Sequence, residues 1–380
     1  MTIRRRTTFQ LLALALSAAG VSRAALAHER PDDDDEDDDG FRAGKVFTST
    51  NAAAGNELLI YDAARNGALR LLQRLGTHGI GSGGGLGNQG AVTLSESGRH
   101  LFVCNAGSHT VATFRVRRAG VVLTSVVPSG GERPVSVAEE DGVVFVLNAG
   151  GAGNVSGFRN RRGVLEPIAG AQQPLSAAGG TAPAQVGFTE QGRVLVVTEK
   201  ATNKITTYRV RHDGSLGAPL VSASSGMTPF GFAVDRRGTV LVSEAVGGAA
   251  GASTLSSYVF DHGQPQPRLV SASIGSGQSA ACWVVVTPDG RHAYVTNTAS
   301  GNISAYRIGR RGEAALAQAI AAVTDAGPID AAIAPRGRQL FVLNGSGRTI
   351  QSFAIDREGQ LAAQGRADGL PAGANGLAAN

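Results

Sequence analysis

Two glutamates, Glu199 and Glu244, stand where related stretches of the chain carry an asparagine: Asn105, Asn148, Asn297 and Asn344. Each of these residues ends an apolar run and precedes a turn of small or polar residues. Asparagine there is ordinarily explained by an Asx turn, in which the side chain caps its own backbone. Glutamate makes that local bond poorly, so the exchange in adjacent repeats is the feature that could carry chemistry. Two carboxylates with neighbouring amides suit a hard cation such as Ca²⁺, which takes oxygen ligands. Alternatively, Glu199 or Glu244 acts as general base toward a water, while Arg133 or Lys200 stabilises an oxyanion and holds a substrate carboxylate. The plain alternative, a pair of surface glutamates, stays open, and the metal requirement is undetermined. Trp283, the only tryptophan, either floors a pocket or packs within the fold.

Residues so far apart need a scaffold that gathers them, and the scaffold is a repeat. Arg291 to Ile308 reads as a β-run, a turn centred on Asn297 to Asn302, and a second alternating run. The same pattern recurs at His100–Val116, Val143–Asn160, Arg193–Val210, Thr239–Phe260 and Gln339–Ile355, with a degenerate copy opening at Lys45. From Asn51 to Asn344 the seven copies have a mean period of about 49 residues, which lies in the range of β-propeller blades. An isolated hairpin is marginal in water, so each copy must bury its faces against the next. The expectation is an all-β, seven-bladed β-propeller of four-stranded antiparallel blades over 45–380.

Short, small-sided runs at Pro134–Ala138, Ala184–Phe188, Phe230–Val234, Cys282–Thr287 and Ile329–Ile333 read as innermost strands. The first repeat has no such run before Lys45, and the C-terminal Leu370–Ala379 segment has the right character to supply it and close the ring. If strands alternate in direction, one face of the ring collects Gln89, Asn105, Arg133, Asn148, Gln185, Glu199, Lys200, Glu244, Trp283, Asn297, Asp330 and Asn344. Convergent polar groups at a channel mouth make this the expected substrate-binding face.

Composition agrees with the repeat and narrows the function. Fifty-three glycines, fourteen prolines and 17% charged residues suit many short strands joined by tight turns. Arg4–Arg6, the apolar Leu11–Val21 and the small-x-small Ala25-Leu26-Ala27 read as a signal peptide over 1–27, too short in its apolar part to span a bilayer. The arginines partly resemble a twin-arginine signal, so the export route stays open between Sec and Tat, with a periplasmic or secreted destination. Residues 28–44 contain eight consecutive acidic residues, Asp32 to Asp39, and read as a disordered leader. From Lys45 on there are 29 basic and 21 acidic residues, a net charge of +8 spread through turns; without a basic stripe and interleaved aromatics, nucleic acid is not expected. Cys104 and Cys282 fall in distant repeats and are expected as free buried thiols, and no Cys/His spacing fits a metal site. A nucleophilic serine elbow is lacking too, since Gly79–Gly83 is a loop of glycines.

The Tyr294-Val295-Thr296-Asn297 and Leu101–Asn105 repeats, the turns Pro288–Arg291 and His212–Gly214, and the longer stretches Leu86–Ala91, Thr228–Phe232 and Ala281–Val285 resemble the seven-bladed propeller lactonase family. That family includes bacterial 6-phosphogluconolactonases and fungal carboxymuconate-cyclizing enzymes, and the likeness covers roughly 45–380, nearest to an exported bacterial branch. It implies a lactonase-like activity, with histidine and arginine near the start of inner strands. Here Gln89-Gly90-Ala91 stands at the comparable point, and His78 and His109 lie in a glycine-rich loop and a hairpin turn, so the family's catalytic residues do not carry over. The resulting expectation is an exported monomer that hydrolyses or forms a small anionic lactone, with Glu199, Glu244 and Arg133 catalytic and Gln89, Asn105, Asn148, Gln185, Lys200, Trp283, Asn297 and Asn344 binding substrate. Ca²⁺ is the one cofactor the residues suggest, and no membrane span is expected. The rival is a non-catalytic binding or scaffold propeller for a protein or cell-envelope ligand. A 6-phosphogluconate role is disfavoured, because that metabolite is cytoplasmic.

Overall fold

The computed structural model describes residues 44–380 apart from Glu190; the expected signal peptide and acidic leader lie outside the described residues. Seven four-stranded antiparallel sheets are arranged as the blades of a propeller. Blades 2 to 7 each take four consecutive strands, with inner strands Val92–Leu94, Pro134–Glu140, Pro183–Thr189, Pro229–Val234, Ala281–Val286 and Pro328–Ile333. Blade 1 is composite. Its inner strand, Asn375–Ala379, comes from the C-terminus and pairs antiparallel with Gly44–Ser49. Lys45 and Asn380 finish the seam, the Lys45 amide donating to Asn380 Oδ1 at 2.8 Å. The expected closure by the tail is therefore present, and it removes the two free sheet edges an open array would expose.

Burial rises from the rim of each blade to its middle. The second strands, such as His100–Asn105 and His292–Asn297, are buried on both faces because neighbouring blades cover them. The outermost strands, such as Leu69–Gly76, are largely exposed. Alternate side chains of the second and third strands fill the space between blades, where burying each Val, Leu or Phe contributes about 1.5–3 kcal/mol. Phe145 of blade 3 meets Phe188 of blade 4 with centroids 5.6 Å apart. Buried tyrosines tie blades together as well: Tyr208 donates to Pro174 O at 2.7 Å and Tyr294 to Gly359 O at 3.0 Å.

One corner repeats at the start of the inner strands and decides what faces the axis. Arg133, Ala182, Thr228, Ala280 and Gly327 all have positive φ, and in four of the five the next residue is proline. Proline is tolerated as the first residue of a strand because no ladder N–H is needed there. Each of these left-handed residues accepts, through its carbonyl, the amide just after the Asn or Glu that ends the second strand: Ala149, Lys200, Ala245, Thr298 and Gly345. A register shift follows within the next residues, for example between Pro183 and Gln185 or Pro328 and Asp330. Bulges re-aim a side chain, and here they bring Ser136, Gln185, Gly231, Trp283 and Asp330 to one level of the ring.

Cys104 and Cys282 are free and buried, as their distant repeats imply. Among the described residues no helix is long and apolar enough to cross a membrane.

Candidate functional site

Both glutamates singled out by their pattern are completely buried. Glu199 accepts from the Ser176 amide at 3.0 Å, from Thr206 Oγ1 at 2.6 Å and from Thr202 Oγ1 at 3.0 Å, with the Ser176 hydroxyl as a further donor. Glu244 accepts from the Gly226 amide at 2.8 Å and from the hydroxyls of Ser256 and Thr254. The asparagines make the same stitch with opposite polarity. Asn297 Nδ2 donates to Asn302 Oδ1 and Ser304 Oγ, and Asn344 Nδ2 donates to Thr349 Oγ1 and Gln351 Oε1. Asn148 Nδ2 likewise reaches Asn154 Oδ1 at 2.8 Å. In blades 4 and 5 the partners on the third strand are hydroxyl donors, and the longer glutamate also reaches an amide of the preceding loop. This polarity swap accounts for the exchange of Asn for Glu. The loop packs tightly on Glu244, where a Cβ on Gly226 would lie 2.2 Å from Oε2. The general-base role assigned to Glu199 and Glu244 from sequence thus meets carboxylates engaged in joining strands. Among the described residues no group of three or more His, Cys, Asp or Glu side chains is placed to hold a metal ion.

Asn105 belongs to the same structural set: its Oδ1 accepts from Asn56 Nδ2 at 2.9 Å and Thr77 Oγ1 at 2.7 Å. Arg133 is exposed at its corner, its backbone amide donating to His109 Nδ1 at 2.9 Å.

Gln89, Lys200 and Trp283 do come together, but as a stopper in the channel mouth. The segment Leu86–Gly90, which leads from blade 1 to blade 2, crosses the axis to blade 6. There Gln89 Nε2 donates to Val284 O at 2.9 Å while Gln89 Oε1 accepts the Val284 amide at 3.2 Å. Trp283 Nε1 donates to Asn88 O at 2.7 Å, Asn88 Nδ2 donates to Val135 O, and the Gln89 amide reaches Ala184 O at 3.1 Å. Lys200 Nζ donates to Gly87 O and lies 4.6 Å from the Phe230 ring centroid; Phe230 packs on Trp283 at 5.2 Å. Burial pulls the Lys200 ammonium down to about 8, and Arg133 adds to the shift.

Gln185 explains why Gln89 sits there. From blade 4 it grips the next blade's inner strand in the same two-pronged way, with Nε2 to Phe232 O at 2.9 Å and the Phe232 amide to Oε1 at 2.6 Å. Phe232 and Val284 hold equivalent register positions, opposite Val242 and Val295. The residue that would perform this task for Val284 is Gly231, which has no side chain. Gln89 supplies the missing amide from across the ring, and a Cβ on Gly231 would lie 2.2 Å from Gln89 Oε1.

The channel continues beneath the stopper as a cavity of about 350 Å³ and ends at Glu139 and Glu140, on the opposite face. Glu139 is a strut between blades 2 and 3, accepting the Glu96 and Gly142 amides at 2.8 Å each. The Glu140 side chain takes no hydrogen bond among the described residues. Burial raises its carboxyl above the usual range, and the charges of Glu96, Asp141 and Glu139 raise it further. Glu140 and Phe188 also border a cleft of about 690 Å³ lined by Arg193, Arg236 and Arg237 together with Glu96, Asp235 and Asp261. Arg237 is tied to buried Asp235 at 3.2 Å, whereas Arg236 is exposed. A carboxyl with raised proton affinity on the border of a cleft is suited to general acid–base chemistry. Sequence reasoning missed Glu140, Glu96 and Arg236; the available signal was an acidic triplet, Glu139-Glu140-Asp141, ending an otherwise apolar inner strand.

The family model for the lactonase, seven-bladed beta-propeller, matches residues 259–373. The chain is similar to the propeller lactonases. No curated protein matches this lactonase-like chain by sequence. Among solved structures, a Bacteroides uniformis protein proposed to be a 6-phosphogluconolactonase is 16% identical, with 85% of this chain and 95% of that one covered and a TM-score of 0.68. The periplasmic gluconolactonase of Pseudomonas aeruginosa is 16% identical over 87% of this chain and 98% of its own, with a TM-score of 0.65. A hypothetical selenium-binding protein from Sulfolobus tokodaii reaches 0.68 at 10% identity, over 88% and 93% of the two chains. At such identities these likenesses establish a shared fold.

Proposed function

We propose that this lactonase-like propeller hydrolyses a small anionic lactone in the cleft that Glu140 borders, on the face opposite the stoppered mouth. The observation that carries the reading is Glu140 itself: a carboxyl free of side-chain hydrogen bonds among the described residues, raised in pKa by burial and like charge, on the border of a cleft that Arg193, Arg236 and Arg237 line along with acidic residues. Glu140 takes a proton from a water whose oxygen adds to the lactone carbonyl. The ring C–O bond then breaks, and the departing alkoxide regains that proton from Glu140, giving a hydroxy acid. Arg236 and Arg237 supply the positive charge that holds the substrate's carboxylate or phosphate and favours a developing oxyanion. Run in reverse, the same steps close a lactone.

The test is turnover of a panel comprising D-gluconolactone, a phosphorylated sugar lactone and muconolactone, with Glu140→Gln and Arg236→Ala beside the parent. Loss of about 10²- to 10⁴-fold in kcat/KM for Glu140→Gln on a folded protein is expected for removal of a general base. Turnover by the parent no faster than buffer, across the panel, sinks the enzymatic reading. It would favour instead a binding propeller for a protein or cell-envelope ligand, a reading supported by the structural employment of Glu199 and Glu244. We further propose export as a monomer to the periplasm or beyond, supported by the charged, apolar and small-residue order of 1–27. N-terminal sequencing of protein recovered from the periplasmic fraction checks this, with a start at or near His28 expected and a start at Met1 contradicting it.

A further inference from the structure

We propose that the interior of the channel is a binding site for a small, uncharged, hydroxyl-bearing molecule, held by the carboxyl of Asp330. The site adjoins the arginine-bearing cleft, since Glu140 and Phe188 border both, but Asp330 lines only the channel and the proposal does not depend on lactone hydrolysis. Three observations lead to it.

The first is an unpartnered atom. Asp330 is 2% exposed; its Oδ1 accepts the Ala331 amide at 2.8 Å, and Oδ2 has no partner in hydrogen-bond geometry, the Leu377 amide lying only near the carboxyl. Most polar neighbours on the cavity wall are already engaged, Gln89 on Val284, Gln185 on Phe232, Thr93 on Gly90 and Val137, and Glu139 on Glu96 and Gly142; Glu140, at the open end, is the exception. A buried polar atom without a partner is costly, so a ligand that satisfies it gains affinity.

The second is the shape of the space. The cavity measures about 350 Å³ and is stopped at one end by Gln89. That places it at the small end of ligand pockets, large enough for a molecule of a few carbons. Val92, Val137 and Leu377 supply apolar wall for the C–H faces of such a molecule.

The third is charge. No basic side chain lines this cavity, and Glu139 and Glu140 stand at its open end, which disfavours an anion. Among the described residues no cluster of ligating groups favours a metal ion. Burial raises Asp330 well above the usual carboxylate range, so the protonated group can donate one hydrogen bond and accept another. Hydroxyl groups, which do both, are the matching partners.

The experiment is calorimetric titration of the whole mature chain with glycerol, D-glucose and myo-inositol, with gluconate and Ca²⁺ as the anionic and cationic comparisons. At least one neutral compound should bind in the millimolar range or tighter. Asp330→Leu should weaken it by tenfold or more, and Asp330→Asn, which keeps a donor and an acceptor, by less than threefold. Because Asp330→Leu can perturb the fold, Leu94→Trp, which narrows the cavity from a half-buried wall position, provides an independent block and should also abolish binding. Absence of heat with all three neutral compounds, binding only of gluconate or Ca²⁺, or unaltered binding in folded Asp330→Leu each overturns the proposal. Lactone turnover is measured separately on the same preparations, so failure of one assay leaves the other readable.

Discussion

Truncating Gln89 to alanine should loosen the channel stopper at a cost fixed by what it leaves behind. The Gln89 amide satisfies both backbone groups of Val284, at 2.9 and 3.2 Å, in a residue that is fully buried. Its loss orphans one donor and one acceptor at about 1–3 kcal/mol each, or roughly 2–4 kcal/mol after some water reaches the vacated space. Gln185→Ala removes the same two bonds from Phe232 and should cost a similar amount, because the two grips are chemically identical. The variants differ in one readout. Trp283 is the only tryptophan and donates to Asn88, the neighbour of Gln89, so its emission should shift red in Gln89→Ala and stay in place in Gln185→Ala. Urea unfolding followed by circular dichroism gives the energies, and intrinsic fluorescence of the folded state gives the local change. Should Gln89→Ala unfold at the parent's midpoint with unshifted emission, Gln89 is not what seats the segment and the reasoning fails.

Gly231→Ala should destabilise the fold, despite the usual gain from removing a glycine, because its Cβ would meet Gln89 Oε1 at 2.2 Å and the Cys282 carbonyl at 2.6 Å; a midpoint at or above the parent's would contradict the close approach. Truncation after Gly369 removes Asn375–Ala379, opens the ring and leaves Gly44–Ser49 as an unpaired edge, so the whole propeller should melt earlier; an unchanged Tm would count against closure by the tail. Lys200 binds its proton less tightly when folded, at about 8, than when unfolded, at about 10.4, so between those values the unfolded chain carries more protons and stability should rise with pH. Lys200→Met should flatten that rise in thermal melts between pH 8 and 10, about the window named; an equal slope in both proteins would refute the assignment.

The repeat was legible because its determinants are local. Tyr294-Val295-Thr296 and Ile303–Ile308 alternate around a turn, and the structure pairs His292–Asn297 with Asn302–Ile308. The composite first blade was legible too, since Lys45 lacks a preceding apolar run and the tail provides one. The stopper was not, because Gln89 and Val284 lie 195 residues apart and their contact depends on a side chain that Gly231 lacks. Glu199 and Glu244 were noticed for a sound reason, a departure from asparagine. Their role becomes apparent only beside Thr206, Thr254 and Ser256, whose hydroxyls reverse the direction of the hydrogen bonds. Glu140 escaped notice because its raised proton affinity arises from burial in the fold and from Glu96, in the neighbouring blade, as well as from its own turn.

Glu140 is the proposed general base whereas Glu199 joins strands, and a paired measurement separates the two roles. With whichever panel lactone the parent hydrolyses, kcat/KM and the urea midpoint are determined for Glu140→Gln and Glu199→Gln. The account predicts that Glu140→Gln loses about 10²-fold or more in kcat/KM with its midpoint nearly unchanged. Glu199→Gln, whose new amide N–H groups would face the donors Ser176, Thr202 and Thr206, should lose stability while the folded fraction keeps the parent's kcat/KM. Full activity in Glu140→Gln, with loss of activity in a folded Glu199→Gln, would contradict it.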